Sequence, residues 1–158
     1  MKRGPYTAGP LCATAVLKNV KGAGMGPINW IAVVLAANLA VAVGIVWHGP
    51  LFRTGRPLLE GPAGDVGGKA RSYGTVVLVM LIGAMMLGHN LARIGAATLT
   101  AKPWLYAMQS GGIALAFVIP ALWLAQARLG ADIRQRAIDS GFWLVAYLTM
   151  GATFWALA

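Results

Sequence analysis

Four apolar stretches, residues 28–47, 74–96, 104–127 and 138–157, occupy most of the chain and leave little between them. A bilayer core about 30 Å thick is crossed by about 20 helical residues. These stretches therefore read as four transmembrane helices, and the fold class they imply is all-α: an integral membrane four-helix bundle over residues 25–158, preceded by a basic tail over residues 1–24. The chemistry is much less constrained than the architecture. Paired carboxylates, a cluster of metal ligands or a nucleophile beside a base would signal catalysis, and the sequence shows none of them.

The formal charge of +9, from 13 Lys and Arg against four acids, would suit a nucleic-acid partner if the basic residues formed a surface stripe. They lie instead between or before the apolar stretches, where basic side chains pair with anionic headgroups and resist translocation. The expected partner is membrane lipid, with anionic headgroups at the basic loops, and not nucleic acid. Only 11% of the residues are charged, well below the roughly one quarter usual in soluble domains. The single Cys12 excludes an internal disulfide and any Cys-x-x-Cys redox or zinc site.

The tail carries Lys2, Arg3, Lys18 and Lys21 around a weak apolar run that Lys18 interrupts, too short for a secretory signal core. Met25 opens Met-Gly-Pro-Ile-Asn-Trp, in which Pro27 suits an early helical position and Asn29 suits the capping of a first turn. Met25 is accordingly a candidate translation start. Four spans place both termini on one side and loops one and three on the other. Loop one, residues 48–73, holds Arg53, Arg56, Lys69 and Arg71, and loop three holds Arg128, Arg134 and Arg136, whereas loop two offers only Lys102. The positive-inside rule puts loops one and three in the cytoplasm and both termini outside. Glycines 61, 64, 67 and 68 of loop one lack P-loop spacing and read as a flexible loop.

Lipid supplies no hydrophobic drive between helices, so small residues and occasional polar contacts must hold a bundle together. Ala32, Ala36, Ala40 and Gly44 form such a stripe in the first span, Ala84, Gly88, Ala92 and Ala96 in the second, and Gly112 with Ala116 in the third. Pro120 is expected to bend the third span. Trp30, Trp47, Trp104, Tyr106, Phe154 and Trp155 fall near the expected interfaces and read as headgroup anchors. Asp139, followed by Ser140, reads as the cap of the fourth helix.

Ile28-Asn29-Trp30 at the start of the first span, Trp47-His48-Gly49-Pro50-Leu51-Phe52 at its end, and Ala137-Ile138-Asp139-Ser140-Gly141-Phe142-Trp143 running on to Met150-Gly151-Ala152 are similar to the bacterial four-helix membrane family known as domain of unknown function 1761. The resemblance spans about residues 25–158. It implies the fold and a place in the bacterial inner membrane, and it brings no activity. His48 stands where that family tends to carry tyrosine.

The one strong polar group at membrane depth is His89, Asn90 and Arg93, with Arg93 a helical turn beyond His89. Ionisable residues within a span are candidate functional sites, but Arg93 is close enough to the helix end to snorkel to the interface. A pairing of Arg93 with the carboxylate of Ala158 is a further expectation. His48 and His89 fall at opposite ends of their spans, which argues against a bis-histidine haem, and no carboxylate is expected near either, so no metal or cofactor is expected. Asn38, Gln109 and Ser110 read as interhelical hydrogen-bonding groups. The chain therefore reads as a non-enzymatic structural or accessory membrane protein, either a homo-oligomer or a subunit of a larger complex. The alternative is a small-molecule or ion transporter acting as an oligomer, although every acid lies in a loop or at a helix end.

Overall fold

The computed structural model describes residues 27–53 and 66–158, with side chains from Tyr73 onward in the second stretch. The tail 1–24, Cys12, Met25, Arg56 and glycines 61 and 64 lie outside the described residues. The side chains of Lys69 and Arg71 do so as well. The described chain is all-α: α1 (Trp30–Val46) runs into a π-helical turn (Trp47–Leu51), and α2 (Val66–Ile94) is followed by the short α3 (Ala96–Ala101). Next, α4 (Trp104–Ile113) passes through a second π-helical segment (Ala114–Val118) into α5 (Ile119–Arg128), and α6 (Ile133–Ala156) completes the fold.

Among the described residues, three helical stretches are long and apolar enough to cross a membrane: Trp30–Leu51, Tyr73–Ile94 and Trp104–Arg128. That is the signature of a membrane protein. The 24-residue α6 is long enough, but it carries Arg134, Arg136 and Asp139 in its first turns and is not one of the three. It is the central helix, packing on α1, α4 and α5, while α1 packs on both α6 and α2. A helix surrounded by protein needs less lipid-compatible surface, which accounts for its lower hydropathy.

Local chemistry explains the helix ends. Asn29 caps α1, its Oδ1 accepting from the N–H of Ala32 at 3.1 Å, so Pro27 lies before the cap and not within the first turn. The span expected at 74–96 is shifted at both ends. It begins at Val66, because a helix already nucleated by an apolar span extends at small cost into the polar residues ahead of it. It stops at Ile94, where Gly95 takes the left-handed φ of +86° that favours glycine and its N–H reaches the carbonyl of Leu91 at 3.1 Å. Ala96 consequently belongs to α3. The expected bend at Pro120 takes the form of the π-helical segment just before it, since a proline ring crowds the carbonyl four residues earlier and offers no N–H to close a normal turn. Pro50 lies inside the other π-helical turn.

The fourth helix requires a correction. Its cap is Asp132, not Asp139: Asp132 Oδ2 accepts from the N–H of Arg134 at 3.1 Å. The preceding helix closes through Gly130, at φ +70°, with the N–H of Ala131 reaching back to the carbonyl of Gln126 at 3.0 Å. Once that closure and Asp132 are in place, the helix has begun, and Asp139 falls in its second turn.

Small residues set the packing. Ala32, Ala36, Ala40 and Gly44 are all buried, as are Ala84 and Gly88 of α2. A Cβ on Gly88 would lie 3.0 Å from the Phe154 ring and 3.3 Å from Val33, so α2 comes this close to α1 and α6 because position 88 is glycine. The third span, Trp104–Arg128, departs from the expected stripe. Its buried face is Tyr106, Ser110, Gly111 and Ala114, whereas Gly112 and Ala116 are exposed. This stretch packs mainly on α6, and only 17% of its most apolar window is buried, against 39% for the first. On the α6 side, a Cβ on Gly151 would fall 2.9 Å from the carbonyl oxygen of Tyr106. Gly151→Ala should therefore destabilise the protein by about 1–3 kcal/mol, measured as an unfolding midpoint in detergent. Gly112→Ala, whose Cβ would meet nothing, should leave that midpoint unchanged or slightly higher.

Candidate functional site

The principal polar cluster lies where α1 ends, α5 ends and α6 begins. Asp139 is its hub. Gln126 of α5 donates through Nε2 to Asp139 Oδ2 at 2.5 Å, and Gln135, one turn earlier on α6, donates through Nε2 to Oδ1 at 2.9 Å. His48 of the π-helical turn approaches with Nδ1 3.9 Å from the same Oδ1 and its ring edge-on to Phe142, centroids 5.1 Å apart. His48 is buried, as is Ser140. The wide π-helical turn shifts the residues after Trp47 relative to a regular helix, and it is this turn that carries His48. Beside it, the indole N–H of Trp47 donates to the carbonyl of Ile138 at 3.0 Å, with the ring lying where a Gly141 side chain would otherwise be.

Both carboxylate oxygens of Asp139 thus accept from amides, and the imidazole stands beside them. A carboxylate held in this way ties three segments of chain together. It corrects the expectation that no carboxylate approaches either histidine. Among the described residues, however, no group of three His, Cys, Asp or Glu side chains is placed to hold a metal ion. Two buried polar atoms near the clasp, Gln126 Oε1 and Ser140 Oγ, have no hydrogen-bond partner among the described residues.

The group read from the sequence, His89, Asn90 and Arg93, is elsewhere. These residues lie near the end of α2, His89 and Asn90 half-buried and Arg93 exposed. None makes a side-chain hydrogen bond or ion pair among the described residues, so their spacing does not produce a network. The expected pairing of Arg93 with the C-terminal carboxylate is not formed. Instead, Asn29 Nδ2 donates to the carbonyl of Leu157 at 3.0 Å, tying the start of α1 to the end of α6. At this end, a cavity of about 250 Å³ is walled chiefly by Leu91, Leu99, Tyr106, Phe154 and Leu157, with Asn29 at its edge. Of the other intramembrane polar groups expected to tie helices, Asn38 bonds to the carbonyl of Val34 at 2.8 Å and Ser110 to that of Tyr106 at 2.8 Å, each within its own helix, and the half-buried Gln109 makes no side-chain bond among the described residues. They are not the interhelical ties their positions suggested.

Trp47, His48, Asp139 and Gly141 fall within the motifs that carry the resemblance noted above, Trp47 to Phe52 and Ala137 to Trp143, whereas Gln126 and Gln135 lie outside them. The family model for a protein of unknown function, DUF1761, matches residues 31–155. The chain belongs to the DUF1761 family. No match is found among curated proteins or among solved structures. In this DUF1761 chain the matched region contains every residue of the clasp as well as His89, Asn90 and Arg93.

The clasp was missed in the sequence because Asp139 is 91 positions from His48 and was assigned to a cap; the one available signal was Gln135, a turn before Asp139 on the same helical face. Gln126→Leu and Asp139→Leu should each lower stability by about 0.6–2 kcal/mol. The double variant should be little worse than Asp139→Leu alone, because the two side chains share one bond. His89→Ala and Arg93→Ala should be close to neutral in the same unfolding titration.

Proposed function

We propose that this DUF1761 chain is a non-enzymatic structural or accessory component of the bacterial inner membrane, a four-helix bundle in which α6 forms the fourth span. At about 1.5 Å per residue, its 24 residues reach about 36 Å, enough to cross. The observation that carries this reading is the use made of the polar side chains. Asp139, Gln126, Gln135, Asn29 and Trp47 are each engaged in joining one segment to another or in orienting a group that does. The outer faces of α2 and of the third span meanwhile present large apolar side chains, among them Leu78, Ile82, Leu115, Phe117 and Leu124. Such faces suit lipid, a second copy of the chain or the helices of a larger complex.

The distribution of basic residues supports loops one and three in the cytoplasm and both termini outside. On this threading the clasp lies at the cytoplasmic end and the 250 Å³ apolar cavity at the outer end. The alternative, a small-molecule or ion transporter working as an oligomer, draws on the two π-helical segments, which interrupt regular hydrogen bonding within two of the spans.

Two measurements separate these readings. With Cys12 replaced, single cysteines at positions 67, 93 and 100 should react with an impermeant maleimide in intact cells at 100 and not at 67, with 93 reached only by a membrane-partitioning reagent. Strong aqueous labelling at 93 would open a water-filled path beside His89. In proteoliposomes, the accessory reading expects no protein-dependent ion flux, and a flux abolished by Arg93→Ala would replace it with the transporter.

A further inference from the structure

We infer that the polar recess between the end of the first span and the start of α6 binds the phosphate of an anionic lipid headgroup, held by Arg53 and Arg134. The inference rests on the membrane placement proposed above, which sets this end of the bundle at headgroup level. The recess has a volume of about 270 Å³ and is lined by Phe52, Arg53, Asp132, Arg134, Gln135 and Ile138.

Two arginines from distant parts of the chain line this one recess. Among the described residues, neither forms an ion pair with a carboxylate. A guanidinium presents a planar fork of donors that matches two oxygens of a phosphate, and a charge-assisted pair of this kind is stronger than a neutral hydrogen bond. The acid in the lining, Asp132, offsets one of the two charges and no more: its Oδ2 accepts from the backbone N–H of Arg134, where it caps α6, and its carboxylate pairs with neither guanidinium. The recess therefore keeps a net positive charge. The neighbouring arginines do not share it. Arg136 donates through Nε to the carbonyl of Ala131 at 2.9 Å and lies 6.0 Å from the Trp123 ring centroid, while Arg128 is exposed at the end of α5.

The surroundings select a lipid over a free anion. Phe52 and Ile138 form an apolar side of the recess, and Phe52 is seated on Trp47 with ring centroids 4.8 Å apart. Leu51, next to it, is 59% exposed. A soluble phosphate would use the guanidinium groups alone. A phospholipid would use them and also lay its glycerol and upper chains against Phe52 and Leu51, a contact worth having only where the apolar edge meets the hydrocarbon. Gln135 faces the recess and donates to Asp139, so the bound headgroup sits directly over the clasp that joins the helices.

The test uses the full chain in neutral detergent, titrated with phosphatidylglycerol, phosphatidylcholine or inorganic phosphate, with binding read by native mass spectrometry and by the thermal unfolding midpoint. Phosphatidylglycerol should bind and raise the midpoint, phosphatidylcholine should do so far less, and millimolar phosphate should not reproduce the shift. Arg53→Gln and Arg134→Gln should each weaken phosphatidylglycerol binding about fivefold, with midpoints in phosphatidylcholine equal to that of the parent chain showing that the variants are folded. Arg128→Gln should bind as the parent does. Equal response to the two lipids overturns the site, as does an equal loss in Arg128→Gln, which would indicate diffuse surface charge. A full response to inorganic phosphate overturns the lipid as the occupant. Carbonate extraction of cell membranes tests the placement separately: release of the chain to the supernatant would sink the membrane reading, whereas retention without lipid preference would sink only the headgroup site.

Discussion

Helices in lipid gain little by hiding apolar surface from one another, because the acyl chains are as apolar as leucine. What remains is close contact, and the arrangement of this protein depends on how near α6 can come to its neighbours. Gly88 admits the Phe154 ring, Gly141 admits the Trp47 indole and Gly151 meets Ser110 and the backbone of Tyr106. The alanine stripe of α1 is covered completely. Each of these approaches removes a side chain that would hold the axes apart, so that dispersion contacts accumulate along the seam. Contacts between α2 and the third span are sparse by comparison, and the outer faces of both are left apolar and uncovered.

That seam also decides where polar chemistry can exist. Where α6 lies against both α1 and α5, a carboxylate, two amides and an imidazole come within reach of each other. The cost of placing Asp139 at this depth is offset by the donors on both of its oxygens. At the opposite end the same helices meet around an apolar cavity, closed on one side by the bond from Asn29 to Leu157. The molecule is thus chemically asymmetric along its helices. Trp30, Trp104 and Trp155, all exposed, gather at the cavity end, and Arg128, Arg134 and Arg136 at the clasp end. An asymmetric bundle of this kind sits one way up in a membrane, in keeping with the positive-inside pattern of its loops.

The family relationship adds an architecture and no activity, and the residues explain why the two come apart. The region that matches DUF1761 holds the residues of the clasp and its approach, Trp47, His48, Asp139 and Gly141 among them. Their visible work is to join helices. Position 48 carries a histidine, which brings a second ionisable group beside Asp139, Nδ1 to Oδ1 at 3.9 Å.

From the sequence alone came the all-α class, the apolar helices, the buried stripe of α1, the cap at Asn29 and the exposed Trp30, Trp104 and Trp155. All of these follow from local composition and the 3.6-residue period, which a single helix expresses without knowing its neighbours. Of the other expected anchors, Tyr106 and Phe154 are buried and Trp47 is turned inward to Ile138. The tertiary structure decided the rest. Asp139 has the composition of a cap, and only the closure at Gly130 and the cap at Asp132 show that its helix begins earlier. His89, Asn90 and Arg93 have the spacing of a site, yet among the described residues their side chains find no polar partner, whereas His48 and Asp139, 91 positions apart, meet. Gly112 and Ala116 have the spacing of a packing stripe, but their face of the third span is turned away from α6. Periodicity tells which residues share a face, and it cannot tell which face another helix will cover or which distant side chains will converge there.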